Sequence, residues 1–121
     1  MRNIIRRHTI SFKHAFDGIM WAIQSQPNFR VHLTISALVL LFAWFFQVDP
    51  FEWMILVFAI VLGLSVEMVN TAIEAMTDLI TKEYRVEAKI AKDVSAGMML
   101  IVAIGTAAVG VGIFLPYVMT Y

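Results

Sequence analysis

This chain predicts an all-α integral membrane protein, with one surface-lying amphipathic helix followed by three spanning helices. Three observations predict it. Of its 121 residues, 60% are hydrophobic and the mean hydropathy is +0.80, against an apolar content of roughly 45–50% in soluble domains. A chain this short is one domain, residues 1–121, and cannot bury so much apolar surface in a core of its own. Secondly, three apolar stretches are long enough to cross a bilayer. Thirdly, all nine Lys and Arg fall in two places, the N-terminal segment (Arg2, Arg6, Arg7, Lys13, Arg30) and the second loop (Lys82, Arg85, Lys89, Lys92).

Residues 1–26 read as an interfacial helix. On a helical wheel Ile5, Phe12, Phe16, Ile19 and Ile23 fall in one narrow arc, and Arg6, Lys13, Asp17 and Gln24 point away from it, the pattern of a helix lying on a membrane surface. Pro27 stops it, because its ring disfavours helical geometry at Gln26 and removes a donor. No apolar run in this segment has the length of a signal-peptide core, so no cleaved leader is expected.

The first span is residues 29–48, uncharged from Val31 onward. Trp44, Phe45 and Phe46 lie where aromatic side chains anchor at an interface. Asp49 and Pro50 then supply a helix cap and a first-turn proline. The second span, residues 51–81, would be roughly 45 Å long, more than the ~30 Å hydrocarbon core, so one end protrudes. The third, residues 88–117, is rich in small residues; Thr106 with Gly110 and Ala108 with Gly112 give spacings suited to close helix packing. Pro116 is expected to end it. By the positive-inside rule the N-terminus and second loop face the cytoplasm, and the first turn and C-terminus face outward.

The second span carries the chemistry. From Phe51 to Leu64 it holds a single charge, Glu52; then come Glu67, Asn70, Thr71, Glu74 and Asp78. These lie three, four, seven and eleven residues apart, which places them on one face of a helix. Glu67 falls about 21 Å beyond Trp53 along the axis and Glu74 about 10 Å further. Glu67 is thus inside the inner leaflet and Glu74 at its water boundary. An ionisable side chain within a membrane is costly and marks function by default. With Lys92 and Asp93 opening the third span, the set converges on the cytoplasmic interface. Carboxylates and an amide suit Mg²⁺, a lysine neutralises phosphate, and a carboxylate in a partly apolar setting serves as general base. These are the parts needed for phosphoryl transfer. Asp78, Thr71 and Ser95 read as helix-end or interhelical polar groups, Glu83, Arg85 and Glu87 as solvated loop charges, and the histidines as interfacial, with His32 a minor candidate for a phosphate contact.

The composition also excludes. Without cysteine there is no disulfide, thiolate metal site or Cys nucleophile. His8, His14 and His32 lack zinc-hydrolase spacing, and no G-x-x-x-x-G-K-[ST] loop occurs. The net charge of zero and the apolar character give no reason to expect a nucleic-acid partner.

The stretch E-M-V-N-T-A-I-E-A-M-T-D followed by A-K-I-A-K-D-V-S-A-G closely resembles the signature of the prokaryotic diacylglycerol kinase family, E-x-x-N-[ST]-A-I-E-x-x-x-D and then A-K-D-x-x-[SA]-A. The likeness extends to N-F-R before the first span, E-W-M in the second and F-L-P near the end. It implies a small three-span membrane kinase, working as a homotrimer, that uses MgATP to phosphorylate a lipid alcohol. I-F-L-P, D-L-I-T and E-W-M look more like the Gram-positive branch, whose members act on undecaprenol; the Gram-negative branch prefers diacylglycerol. Position by position, the resemblance implies Glu67 as the base toward the lipid hydroxyl and Asn70 as its polar neighbour toward nucleotide or substrate. It implies Glu74 as a metal ligand, Lys92 and Asp93 as the pair meeting the ATP phosphates and nucleotide, and Arg7 as a further nucleotide contact. One position departs. Where the family has a metal-binding Glu three residues before the Phe of N-F-R, this chain has Gln26, which keeps an oxygen donor but loses its charge. Two rival readings stand beside the kinase: a small anchoring subunit of a larger membrane complex, and a weakened family member that only binds nucleotide.

Overall fold

In the computed structural model, which describes residues 2–120 and their side chains from residue 9 onward, four helices follow one another: α1 (Arg2–Ser25), α2 (Pro27–Phe45), α3 (Pro50–Ile80) and α4 (Val86–Thr120). The last three are long and apolar enough to cross a membrane. Helix α4 packs most extensively on α3, α2 less so, and α1 touches mainly α2. The chain exposes 9337 Å², whereas a soluble monomer of its mass would expose roughly 6,600 Å² by the usual size scaling. Lipid or other subunits must cover the difference. Along α1, Phe12 and Phe16 are about two-thirds exposed, while Ala22 and Ile23 near its end turn inward, so the middle of its apolar face is open to lipid or another subunit.

The joints follow local chemistry. Helix α1 stops at Ser25, and Gln26 adopts an extended backbone before Pro27 opens α2. At the other end of α2, Gln47 takes a left-handed backbone with φ 51°. The Val48 N–H reaches the Ala43 carbonyl at 3.1 Å and the Gln47 N–H the Trp44 carbonyl at 3.2 Å, the two bonds of a Schellman ending. Asp49 then caps α3 as its sequence position suggests: its Oδ1 accepts from the Phe51 N–H at 2.8 Å, and Glu52 reaches back to the Asp49 N–H at 3.2 Å, completing a capping box.

Helix α4 differs from expectation at its end. Pro116 does not stop it; the helix runs through to Thr120. A proline costs the bond its own N–H would have made to the Gly112 carbonyl, and membrane helices tolerate that loss when the turn re-forms around it. The extra turn puts Tyr117 over the start of α3, where its hydroxyl donates to Glu52 Oε2 at 2.5 Å and accepts from the Asp49 N–H at 3.2 Å. Beneath lies the apolar cluster of Ala43, Val48, Leu56 and Ile113, flanked by Phe46, Trp53 and Phe114. The small residues of α4 play no such part: no atom comes within 4 Å of where a Cβ would stand at Gly97, Gly105, Gly110 or Gly112. Their spacing is therefore not used for close packing inside this protomer.

Candidate functional site

The polar stripe sits at the end of α3 far from this cluster. Glu67 is 3% exposed, Asn70 7% and Thr71 9%, all turned into the bundle, while Glu74 and Asp78 face outward below them. One unbroken helix makes this possible, since residues three and four apart share a face and α3 runs helical from the apolar Phe51–Leu64 segment through the stripe.

The Asn70 side chain is the telling geometry. Its Nδ2 donates to Glu74 Oε1 at 3.3 Å. A carboxylate can only accept, so this bond fixes which end of the amide faces it. The amide oxygen is left buried with no hydrogen-bond partner. A buried orphan acceptor costs about 1–3 kcal/mol, and an oxygen held this way is open to a cation or a hydroxyl donor. Glu67, more deeply buried than Asn70, makes no hydrogen bond among the described residues. Its nearest polar neighbour on another helix is His32 of α2, with Nε2 3.9 Å from Oε2.

At the water boundary, charges cross from α3 to α4. Lys92 Nζ lies 2.6 Å from Asp78 Oδ1, and Asp93 pairs with Lys89 on its own helix. Lys92 thus pairs with the outermost acid of the α3 stripe, while Asp93 is turned to its own helix. Ser95 is buried and donates to the Lys92 carbonyl at 3.0 Å. A cavity of about 480 Å³ opens beside this region, lined by Thr77, Thr81, Arg85, Glu87 and Ala91 among others. It is a space of mixed, largely apolar lining where α3 gives way to the loop and α4.

Gln26 lies at the α1–α2 joint, half-buried, and donates to the neighbouring Ser25 hydroxyl at 3.3 Å; no hydrogen bond joins it to the stripe. The Arg7 side chain lies outside the described residues. Among the described residues, no three His, Asp or Glu side chains stand close enough to hold a metal ion. An oxygen-binding cation such as Mg²⁺ would find its donors on this stripe in the Glu74 carboxylate and the free amide oxygen of Asn70. Hard oxygen donors of this type, few in number, fit an ion whose remaining positions are filled by substrate phosphates and water.

Sequence reasoning brought out Glu67, Asn70, Glu74 and Lys92, and the structure places them at one end of the bundle. The reading of Asp78 as a helix-end or interhelical polar group agrees with its pairing to Lys92 across α3 and α4; an acid just before a short helix–helix connection and a lysine just after it are disposed to meet across antiparallel helices. The partner that sequence reasoning misses is His32, which reads there as interfacial or as a minor candidate for a phosphate contact. Nothing in a single sequence reports the register of α2 against α3.

Comparison with known proteins bears on the same residues. The prokaryotic diacylglycerol kinase family matches the chain over residues 13–114. The undecaprenol kinase of Bacillus subtilis (strain 168) is 38% identical over 116 residues, 95% of this chain and 94% of that protein. A diacylglycerol kinase of Synechocystis is 34% identical over 108 residues, 88% of this chain but 62% of that longer protein. A diacylglycerol kinase of Helicobacter pylori is 28% identical over 85 residues, 70% of this chain and 66% of that protein.

Proposed function

This chain belongs to the prokaryotic diacylglycerol kinase family, and from that premise we propose that it is an ATP-dependent lipid kinase whose acceptor is undecaprenol. Likeness to a named undecaprenol kinase along nearly its whole length supports the acceptor. The observation that carries the chemistry is the buried Glu67 carboxylate, one helical turn from the unpartnered oxygen of Asn70.

In this reading Glu67 takes the proton of the lipid hydroxyl as that oxygen attacks the γ-phosphorus and ADP departs. Burial of Glu67 keeps water from competing as acceptor. Asn70 offers its free oxygen to the substrates while its nitrogen holds Glu74 in place. Lys92, released from Asp78, meets the nucleotide phosphates; Asp93 and Arg7 contact the nucleotide. Glu74 and the Asn70 oxygen would hold Mg²⁺, with Gln26 of the α1–α2 joint as a further oxygen donor if it turns toward them, and the ion would neutralise phosphate charge. Gln26 contributes without charge, so metal affinity is expected to be lower than a Glu there would give. The site faces the cytoplasm of the bacterial inner membrane, as the distribution of Lys and Arg supports. A homotrimer is in keeping with the large exposed area of a single protomer.

Diacylglycerol is the second reading for the acceptor, favoured by relatives of that name. The test is radiolabelled phosphate transfer from MgATP by the purified chain in mixed micelles, with undecaprenol and a diacylglycerol side by side. Undecaprenol is expected to be the better acceptor. Preference for diacylglycerol would replace it, and transfer to neither by folded protein would overturn the kinase reading.

A further inference from the structure

A buried base must be reset after every turnover. Glu67, once protonated by the lipid hydroxyl, has a side chain only 4% exposed, and the helix on either side of it is largely apolar. Water has little direct access. His32 bridges this gap: its Nε2 is 3.9 Å from Glu67 Oε2, and its own side chain is 29% exposed. That separation is too long for a direct hydrogen bond, but one water or a small side-chain rotation closes it. Imidazole is the side chain suited to taking and giving a proton near neutral pH.

The backbone of α2 leaves the ring free for this. Ser36, one turn further along, donates to the His32 carbonyl at 2.7 Å, and Thr34 to the Arg30 carbonyl at 2.9 Å. Both hydroxyls are occupied by backbone and neither competes for the imidazole. The other charged group acting on Glu67 is Glu74, which lies on α3 two turns beyond it; Arg30, two residues before His32 on α2, is exposed and on another side of that helix.

We propose that His32 is the proton exit of the site, a positioning residue that acts through Glu67 and not on substrate. The inference rests on the reading of Glu67 as the base. The balance is as follows. The lipid O–H proton goes to Glu67 Oε2 while the lipid oxygen–phosphorus bond forms and the bond from the γ-phosphorus to ADP breaks. The proton then passes from Oε2 to His32 Nε2, and the imidazolium gives a proton to water on its exposed side. Glu67 is again a carboxylate, and no redox partner or further reactant is required.

The experiment compares the full chain with His32→Ala and His32→Gln in mixed micelles, with and without added imidazole. Proton transfer by a placed side chain is worth about 10²–10⁴-fold, so kcat should drop at least about tenfold with the KM for ATP and for lipid within about twofold. Imidazole in the buffer should restore kcat of His32→Ala in proportion to its concentration and should leave Glu67→Gln inactive. Gln keeps the size and polarity of the site but cannot relay, so His32→Gln should be as slow as His32→Ala. Full kcat in either variant overturns the proposal. So does a loss that imidazole fails to restore in protein that remains helical and of unchanged assembly size, since packing alone would then explain it. An inactive wild type would instead remove the kinase reading itself.

Discussion

The two ends of the α3–α4 pair are built on opposite principles. At the α2–α3 turn, the buried side chains Ala43, Val48, Leu56 and Ile113 are all apolar, and the polar groups above them are tied into one another: Asp49, Glu52 and Tyr117 each have partners. At the other end Ala22 and Phe29 are buried too, but so are Glu67, Asn70, Thr71, Thr77 and Ser95, and the Asn70 amide oxygen, fully buried, has no hydrogen-bond partner among the described residues. Apolar burial and satisfied hydrogen bonds stabilise; buried carboxylates and orphan acceptors cost. The first end holds the helices together. The second is maintained against its own cost, and such sites are where function is found.

Substitutions at the two ends should therefore separate stability from activity. The largest stability effect belongs to Leu56→Ala at the apolar end, where Leu56 is 2% exposed. A cavity there should cost about 2–5 kcal/mol, read as a lower unfolding temperature in detergent, with kcat little changed in the protein that stays folded. Asn70→Leu should do the reverse. Removing a buried unpartnered oxygen should leave stability unchanged or raise it by about 1–2 kcal/mol, while phosphate transfer is lost. A destabilised but active Asn70→Leu would break the comparison. Tyr117→Phe removes one hydroxyl from the tied end and should cost about 1–2 kcal/mol, because it strips a hydrogen bond from a charged acceptor, again with kcat preserved. The smallest effect is at the turn itself. Gln47→Gly relieves a left-handed backbone that glycine adopts freely and should stabilise by up to about 1 kcal/mol, visible as a slightly raised unfolding temperature.

How far the sequence carries follows the same division. Helices α1 to α4, the break at Gln26–Pro27 and the Asp49 cap are written in local chemistry: periodicity, proline and a capping side chain act within a few residues. So is the stripe on α3, because all its members share one helix. What local chemistry cannot report is register between helices. The Lys92–Asp78 pair, the His32 ring beside Glu67 and the Tyr117 hydroxyl over Glu52 each join residues on different helices. Pro116 is an instructive failure. A proline near a helix end reads as a stop, yet α4 continues past it, and the turn it keeps is the one that delivers Tyr117. The packing of small residues on α4 was likewise expected from spacing, and the protomer does not use it.

The central claim is that the buried acid at the polar end serves catalysis and not the fold. Its most direct test is Glu67→Gln, with unfolding temperature and phosphate transfer to undecaprenol measured on the same preparation. The carboxamide keeps the shape and removes the ability to accept the proton. Glu67→Gln should unfold at a temperature equal to or above that of the unaltered chain and lose turnover by at least about a hundredfold, the lower bound for general-base catalysis. Turnover within a few fold of the unaltered chain, or an unfolding temperature that falls as far as for Leu56→Ala, would contradict it.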